Sequence, residues 1–373
     1  MPKILFGMAV SLTGRYALLG KQVLAGAQSY VNWVNAAGGL SLGENTTRYE
    51  IELHYIDDKS DASTMEEHLD RLFAKYAIDI LLGPYGSGLG LAAGKYAENH
   101  RMVLWNHSSS ADEIFSGGFK WMVGIISPAS QYFSGVLQMS KQANRAFRKV
   151  ALVNANTGFA QDIAKGVVEW AGENGWECIQ FTYPSGLNSF YDVIAQVQNA
   201  MPDVLLGVGR VEDDIQFAKN IVEKRLNVGA VGLVVAAIDE FKLKLKHDCE
   251  GFLAPSQWEA GASLIPTYGP TSSEFVELYR RQAGNLPLDY PAAQGFVGGL
   301  IAGRCVELAG SLDQSRLRET ASDLDCTTFY GRCLIAPNTG KQIGREMLVT
   351  QWQQGEKQIV WPPTVAGAQF RRR

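Results

Sequence analysis

The amino-acid sequence predicts an α/β protein made of two similar halves, each built on a mainly parallel β-sheet. Short runs rich in β-branched and apolar residues alternate with segments whose apolar residues recur at helical spacing. The pattern also restarts midway, because "VSLTGRYALLGKQVLAGA" and "NANTGFAQDIAKGVVEWA" share a strand end, a Thr-Gly turn and a glycine-bearing amphipathic helix. A chain of 373 residues with 46% hydrophobic residues is long enough for two or three domains.

The elements follow in order along the chain. Strands are predicted at residues 3–10, 49–57, 80–82, 102–105, 149–154, 176–183, 204–208 and 230–235, and helices at 19–36, 63–75 and 163–174. The second half is expected to begin close to Gly124, since Ser127 and Pro128 are placed to start a helix. A strand in "EGFLAPSQW", helices at 272–283 and 292–308, a hairpin in "TFYGRCLIAPNTGKQI" and a last strand in "MLVTQWQ" complete the prediction.

Composition argues against several partners. The net charge of -4 gives no electrostatic reason to expect nucleic acid or an anionic membrane. No stretch reaches the roughly 20 apolar residues of a membrane span. The sequence opens without a signal-peptide pattern, so we expect either a cytoplasmic protein or one whose signal peptide has been removed. Arg371 to Arg373 are interpreted as part of a solvated, disordered tail.

Motifs for catalysis are missing from the sequence. The glycines near Gly14 and Gly83 fit neither G-x-G-x-x-G nor a P-loop, and there is no G-x-S-x-G or H-E-x-x-H. The five histidines are expected to be exposed or hydrogen-bonded, and the five cysteines to be buried thiols, although Cys326 and Cys333 could bridge across the hairpin. We therefore predict no enzyme, no metal and no cofactor.

Binding features are more frequent than catalytic ones. "GPYGSG" follows the third strand and "WNHSSS" the fourth, so small hydroxyls and free N–H groups lie beside aromatic residues at two strand ends. Ligands of open parallel sheets bind beyond the carboxyl ends of the strands, where Ser87, Ser108 and Ser109 could hold a carboxylate. The alternative is that these residues only cap helices and form turns.

Five segments in register resemble the type I substrate-binding proteins of bacterial ABC importers, the branched-chain amino-acid-binding (Leu/Ile/Val-type) group. They are "GMAVSLTGRYALLGKQVLAGAQSYVNWVNAAGGL", "DDKSDASTMEEHLDRL", "DILLGPYGSG", "NTGFAQDIAKG" and "TTFYGRCLIAPNTGKQI". The resemblance implies two Rossmann-like lobes joined by three hinge crossovers, which close around a small ligand. It places lobe 1 at residues 1–123 and 254–330 and lobe 2 at 124–253 and 331–363. Independently of the resemblance, residues 364–373 are expected to form a disordered tail.

The resemblance also implies a set of ligand-binding residues. In lobe 1 these are Tyr16, Tyr85, Gly86, Ser87, Trp105, Asn106, Ser108 and Ser109, and in lobe 2 Phe159 follows the Thr-Gly turn. Two departures matter: Arg210 stands where amino-acid binders have a tyrosine, and "LVVAAI" stands where they have a glutamate for the ligand's ammonium group. A buried, unpaired ammonium costs several kcal/mol, so ordinary amino acids are disfavoured unless Asp239 or Glu240 reaches in.

Arg210 can hold a carboxylate with its guanidinium fork, and the aromatic residues, with Trp258 added, offer flat apolar surface. The expected ligand is thus a small organic acid, with aromatic acids favoured. Arg210 could instead pair with Glu212 or Asp213, and Trp105 and Trp258 could be core residues.

The predicted function is a periplasmic or extracellular receptor, associated with the membrane through a partner or a lipid anchor, that delivers its ligand to ABC permease subunits. The alternative is a cytoplasmic ligand sensor, or an amide- or amino-acid-binding regulatory protein, on the same fold.

Overall fold

The structure is a computed structural model that describes residues 1–44, 46–262 and 264–373. The strands are β1 (Lys3–Val10), β2 (Leu40–Ser41), β3 (Arg48–Asp57), β4 (Ile80–Leu82), β5 (Leu104–Asn106), β6 (Met122–Gly124), β7 (Lys149–Ala155), β8 (Glu177–Tyr183), β9 (Val204–Val208), β10 (Ala230–Leu233), β11 (Leu253–Ser256), β12 (Asp325–Thr328), β13 (Gly331–Leu334), β14 (Leu348–Gln353) and β15 (Glu356–Trp361). The helices are α1 (Ala17–Ala36), α2 (Met65–Lys75), α3 (Ser87–His100), α4 (Glu113–Ser116), α5 (Ser134–Ala143), α6 (Gly158–Glu173), α7 (Tyr191–Ala200), α8 (Val211–Glu223), α9 (Asp239–Leu245), α10 (Ser272–Ala283), α11 (Tyr290–Ala309) and α12 (Gln314–Asp323).

The chain divides into two compact units. Unit 1 comprises Met1–Ser127 and Ser263–Arg345, and unit 2 comprises Pro128–Ala262 and Glu346–Arg373. Unit 1 contains a sheet in the order β2-β3-β1-β4-β5-β6, in which all pairs except the antiparallel β2–β3 pair are parallel. Unit 2 contains a sheet in the order β15-β14-β11-β10-β9-β7-β8, in which β11 to β8 are parallel and β14 and β15 are antiparallel.

The two sheets share one strand plan. In each unit the first parallel strand lies between the second and the third, and the fourth and fifth follow on the side of the third. This is the doubly wound order 2-1-3-4-5, whose ligand site is expected where the chain first changes direction across the sheet. The predicted fold class, two α/β halves of similar design, is confirmed.

Helices α1 and α11 of unit 1 pack closely because glycines face backbone. A Cβ on Gly26 would collide with the carbonyl of Ala292, and one on Gly295 with the carbonyl of Val23. Gln22 of α1 fixes the start of α11, since its side chain donates to Asp289 Oδ2 at 2.9 Å and accepts from Asp289 N at 3.0 Å. This packing brings a segment from late in the sequence against the first helix.

The unit boundaries differ from the predicted ones most clearly at the third division, which lies after Arg345 rather than after Tyr330. Residues 331–345 stay in unit 1 because β13 pairs with β12 and because the Gly124 N–H donates to the Gly340 carbonyl at 2.7 Å. The predicted hairpin is thus present, but it lies entirely within unit 1.

The last residues are packed rather than free, which corrects the expectation of a disordered tail at 364–373. Gln351 donates from its side-chain amide to the Arg371 carbonyl at 2.7 Å and accepts from the Arg371 N–H at 2.9 Å. Gln353 donates to the Gln369 carbonyl at 2.8 Å, and the Arg373 guanidinium lies 4.1 Å from the centre of the Phe252 ring. The amide side chains of β14 thus hold the tail in place through hydrogen bonds to its backbone.

All five cysteines lie among the described residues and are free thiols. Cys326 and Cys333 are directly opposite each other in the β12–β13 pair, and burial raises the pKa of the Cys326 thiol to about 11. Burial raises the pKa of the Cys333 thiol as well, so both thiols are protonated at neutral pH.

Candidate functional site

In unit 1 the loops after β1, β4 and β5 leave the same edge of the sheet, because these strands are parallel. The Tyr16 and Tyr85 rings meet edge to face at 5.9 Å, and the Gly86 N–H donates to the Ser108 carbonyl at 3.2 Å. The predicted loops of the first half are therefore neighbours at the point where the strand order changes direction.

Tyr16 and Tyr85 form an aromatic corner that depends on a glycine. Gly86 has a φ of 102°, and a Cβ at that position would lie 3.2 Å from the Tyr16 ring. The Tyr85 hydroxyl lies 3.1 Å from that of Tyr290, the first residue of α11. Tyr290 belongs to the corner, although no motif in the sequence predicted it.

Ser87 opens α3, so the unpaired N–H groups of a helical first turn lie beside the aromatic corner. The Ser87 hydroxyl accepts from the Ala111 N–H at 3.1 Å and donates to no described residue. Ser110, which is 4% exposed, has no hydroxyl hydrogen bond to a described residue either. Both hydroxyls therefore have a hydrogen to donate to a carboxylate, and Ser110 was missed because only its two preceding serines were singled out.

The other polar residues of this edge hold the loop itself. Ser109 donates to the carbonyls of Pro84 at 3.2 Å and Gly86 at 3.0 Å. Asn106 exchanges hydrogen bonds with the Ser109 backbone at 2.7 and 3.0 Å, and Trp105 is fully buried. The contacts of Ser109 and Trp105 are those of the alternatives considered for them, turn formation and core packing. Asn106 also holds the turn, and a direct role of the three residues in binding stays a prediction.

Ser108 is tied to a buried histidine. Its hydroxyl donates to Gln294 Oε1 at 3.1 Å and lies 2.6 Å from His107 Nδ1, which must then carry the proton. Burial lowers the pKa of His107 to about 4, so the ring is neutral at pH 7, and its Nε2 has no partner among the described residues. His107 and Gln294 were not predicted. Gln294 stands four residues after Tyr290 on one face of α11, a spacing that could have been noticed.

Two aspartates support the turn that carries Tyr16. Asp57 accepts from the N–H groups of Leu12 at 2.9 Å and Thr13 at 3.3 Å, and from the Thr13 hydroxyl at 2.8 Å. Burial by itself would raise the pKa of Asp57, but these hydrogen bonds lower it. Asp58 accepts from the Ser11 hydroxyl at 2.6 Å, and burial raises its pKa. The two carboxylates thus support the loop that follows β1.

In unit 2 the corresponding edge carries Phe159 and Arg210. Phe159 lies in the first turn of α6, half-buried, with its ring edge to face against Tyr132 at 5.4 Å. Arg210 is exposed directly before α8, and its backbone N–H donates to Asp213 Oδ2 at 3.3 Å. The expected alternative, an ion pair with Glu212 or Asp213, is not formed in the described part of the chain. Trp258 is 2% exposed, which favours a core role.

Asp239 and Glu240, the acidic residues that could have received a ligand's ammonium group, are paired with lysines in the structure. Asp239 lies 3.4 Å from Lys357 Nζ and Glu240 lies 3.2 Å from Lys244 Nζ, so both already face a cation. Asp213 and Asp214 are both buried at this edge, 2% and 1% exposed, and burial raises the pKa of Asp214 to about 7.

The residues that the structure describes show neither a metal site nor a single membrane-spanning helix. Within them, no group of three or more His, Cys, Asp or Glu residues is arranged to hold a metal ion. None of their helices alone has the length and apolar composition to cross a membrane, whereas α11 and α12, bent by 105°, meet those criteria as a pair.

Comparisons with known proteins agree with this architecture. The model of the periplasmic binding protein family matches residues 3–357. The Leu/Ile/Val-binding protein homolog 7 of Brucella abortus (strain 2308) is 21% identical over 383 residues, covering 99% of this chain and 94% of that protein. A leucine binding protein from Thermotoga maritima is 17% identical with a TM-score of 0.81, covering 95% of this chain and 97% of that one.

A solute binding protein of an ABC transporter from Rhodopseudomonas palustris HaA2 has been solved in complex with p-hydroxybenzoic acid. It is 16% identical with a TM-score of 0.81, covering 96% of this chain and 95% of that one. At this identity the likeness to both solved structures concerns the fold. Together with the family match, it identifies the chain as a member of the periplasmic binding protein family, with the type I fold of the branched-chain amino-acid (Leu/Ile/Val-type) substrate-binding proteins of ABC transporters.

Proposed function

We propose that this chain is a solute receptor of an ABC importer that captures a small carboxylated ligand, with aromatic acids as the favoured class. The observation that carries the proposal is the aromatic corner of unit 1. Tyr16 and Tyr85 stand beside the start of α3, where Ser87 and Ser110 have hydroxyl hydrogens to give. A carboxylate suits the helix N-terminus, and a flat ring suits the two tyrosines.

Arg210 gives independent support within unit 2. Its guanidinium is exposed and has no carboxylate partner among the described residues. An arginine that is not neutralised by the protein favours an anionic ligand. The related protein from R. palustris HaA2 carries an aromatic acid, which makes benzoate and its derivatives suitable probes.

Calorimetric titration with benzoate and benzamide tests the proposal, because the two differ in charge and little in shape. Benzoate should bind and benzamide should bind poorly. Arg210→Ala should weaken benzoate binding by about 1.5 to 3 kcal/mol, the scale of a hydrogen bond to a charged group. Arg145→Ala, which removes another exposed arginine of unit 2, is the matched control and should leave benzoate affinity unchanged.

Equal affinity for acid and amide would contradict the carboxylate proposal, and so would an Arg210→Ala variant that binds benzoate as tightly as the parent. Recovery of a chemically altered ligand after long incubation would contradict a role limited to binding.

Delivery to ABC permease subunits and a periplasmic or extracellular location belong to the same proposal. The test is cell fractionation of the native protein: release by osmotic shock supports the receptor. Retention in the cytoplasm would favour the alternative, a ligand sensor on the same fold.

A further inference from the structure

Asp214 keeps an unused oxygen at the carboxyl edge of the unit 2 sheet. The residue is 1% exposed, and its Oδ2 accepts from the Val235 N–H at 3.1 Å. Its Oδ1 is buried and has no hydrogen bond of good geometry to a described residue, although the nearby Gly209 N–H lowers the pKa of the carboxyl. Buried carboxylate oxygens are normally hydrogen-bonded, so an unused one calls for a donor that the described chain does not supply.

Tyr183, the last residue of β8, is the neighbouring group. It is 4% exposed, its ring is held edge to face against Phe190 at 4.8 Å, and its hydroxyl bonds to no described residue. Burial, reinforced by the charges of Asp214 and Asp213, raises the pKa of Tyr183, so the phenol keeps its proton. The protonated hydroxyl can therefore donate a hydrogen bond, and no described residue accepts it.

The two groups converge on Gly209, directly before Arg210. A Cβ on Gly209 would collide with the Tyr183 hydroxyl and would lie 3.0 Å from Asp214 Oδ1. Asp213 is occupied elsewhere, since it accepts from the Gly186 N–H at 2.7 Å and from the Arg210 N–H at 3.3 Å. Asp214 and Tyr183 are thus the pair whose hydrogen-bonding capacity is unused beside the exposed arginine.

We propose that Tyr183 is a specificity-determining contact, oriented by Asp214, which receives a hydrogen-bond donor of the ligand. The phenol O–H is directed towards Asp214 Oδ1 with or without ligand, and when ligand binds, the phenol oxygen accepts a hydrogen from a ligand hydroxyl or protonated amine. The inference rests on the proposed function and narrows it to carboxylic acids that carry a second, donating group. It also supplies the acceptor that the sequence argument found missing, at a different place in unit 2.

Calorimetry on the full chain tests the contact with isosteric probes. The parent should bind 4-hydroxybenzoate about tenfold more tightly than 4-methylbenzoate, on the scale of one hydrogen bond. The Tyr183→Phe variant should bind both within about twofold of each other, while Tyr191→Phe, which changes an exposed tyrosine of the same unit, keeps the parent ratio. 4-(Aminomethyl)benzoate in place of 4-hydroxybenzoate tells an amine donor from a hydroxyl donor.

A parent that binds the hydroxyl, aminomethyl and methyl compounds equally, or a Tyr183→Phe variant that keeps the tenfold ratio, overturns the contact. If the parent binds all of these benzoates with equal affinity, the proposed function stands and only this inference is refuted.

A measurement without ligand tests the orientation. The carboxyl carbon of Asp214, followed by NMR as a function of pH and assigned with Asp214→Asn, should titrate at higher pH in Tyr183→Phe than in the parent, because the carboxylate loses the nearby phenol O–H. Identical titration curves overturn the inference even if none of the benzoates binds.

Discussion

Replacing Asp214 by asparagine should change how the stability of the protein depends on pH. Burial raises the pKa of Asp214 from its ordinary value of 3.8 to about 7, and the charge of Asp213 adds to the effect. Between these pH values the folded state holds a proton that the unfolded state has released. The free energy of unfolding therefore falls as pH rises through this range, by 1.36 kcal/mol per pH unit for this one group.

The full interval amounts to about 4 kcal/mol, of which roughly 2 to 3 kcal/mol lies between pH 5 and pH 7.5. Asparagine cannot ionise, so the Asp214→Asn variant should gain that amount relative to the parent over the same range. The parent's own slope does not isolate the effect, because His107 acts in the opposite direction. Its pKa is lowered to about 4 by burial, so its contribution to stability is lost as pH falls from 6.5 towards 4.

The assay is urea unfolding of parent and variant at a series of pH values and constant ionic strength. The matched control is Glu173→Gln, which neutralises an exposed carboxylate at the end of α6 and should differ from the parent by a constant amount. A difference for Asp214→Asn that stays constant from pH 5 to pH 7.5, or that shrinks with rising pH, would refute the reasoning from burial.

Gly86→Ala should lower the unfolding free energy by about 1 to 2 kcal/mol, because the left-handed φ and the nearby Tyr16 ring both resist a Cβ. Gly88→Ala, in α3 with open space around it, should be neutral or stabilising, and equal losses for the two in thermal unfolding would contradict the argument. Deleting residues 369–373 should lower Tm, since Gln351 and Gln353 then lose their backbone partners. Combined with Gln351→Ala, the deletion should cost less than the sum of the two separate changes, because both remove the Gln351–Arg371 contact, and full additivity would count against that contact.

The fold could be predicted from the sequence because its determinants are local. Each half opens with a strand, a Thr-Gly turn and an amphipathic helix, and the same strand order then appears in both units. Element ends were less certain. The strand predicted at 230–235 ends at Leu233, where a 3₁₀ turn begins, and α6 starts at Gly158 rather than near residue 163. Apolar runs do not distinguish a strand from a short buried turn.

The loops of the candidate site could also be predicted, since they follow strand ends, but the roles of their side chains could not. Ser108 and Ser109 look equivalent to Ser110 in the sequence. Only the contacts separate them, because Ser108 and Ser109 donate to Gln294 and to backbone carbonyls. Gln294 arrives from α11, far along the chain, and no local pattern announces such a partner.

In unit 2 the contacts likewise decide which acidic residue is a candidate for ligand binding: it is Asp214 and not one of the residues that follow β10. Asp239 and Glu240 follow that strand, but each faces a lysine, whereas Asp214 is buried on α8 with one oxygen unused. A carboxylate already paired with a cation gains little by meeting a donor group of a ligand, and an unpaired buried one gains much. Identifying polar specificity in this family therefore requires knowing which acidic groups the protein has already satisfied, a property of the folded chain that spacing in the sequence does not record.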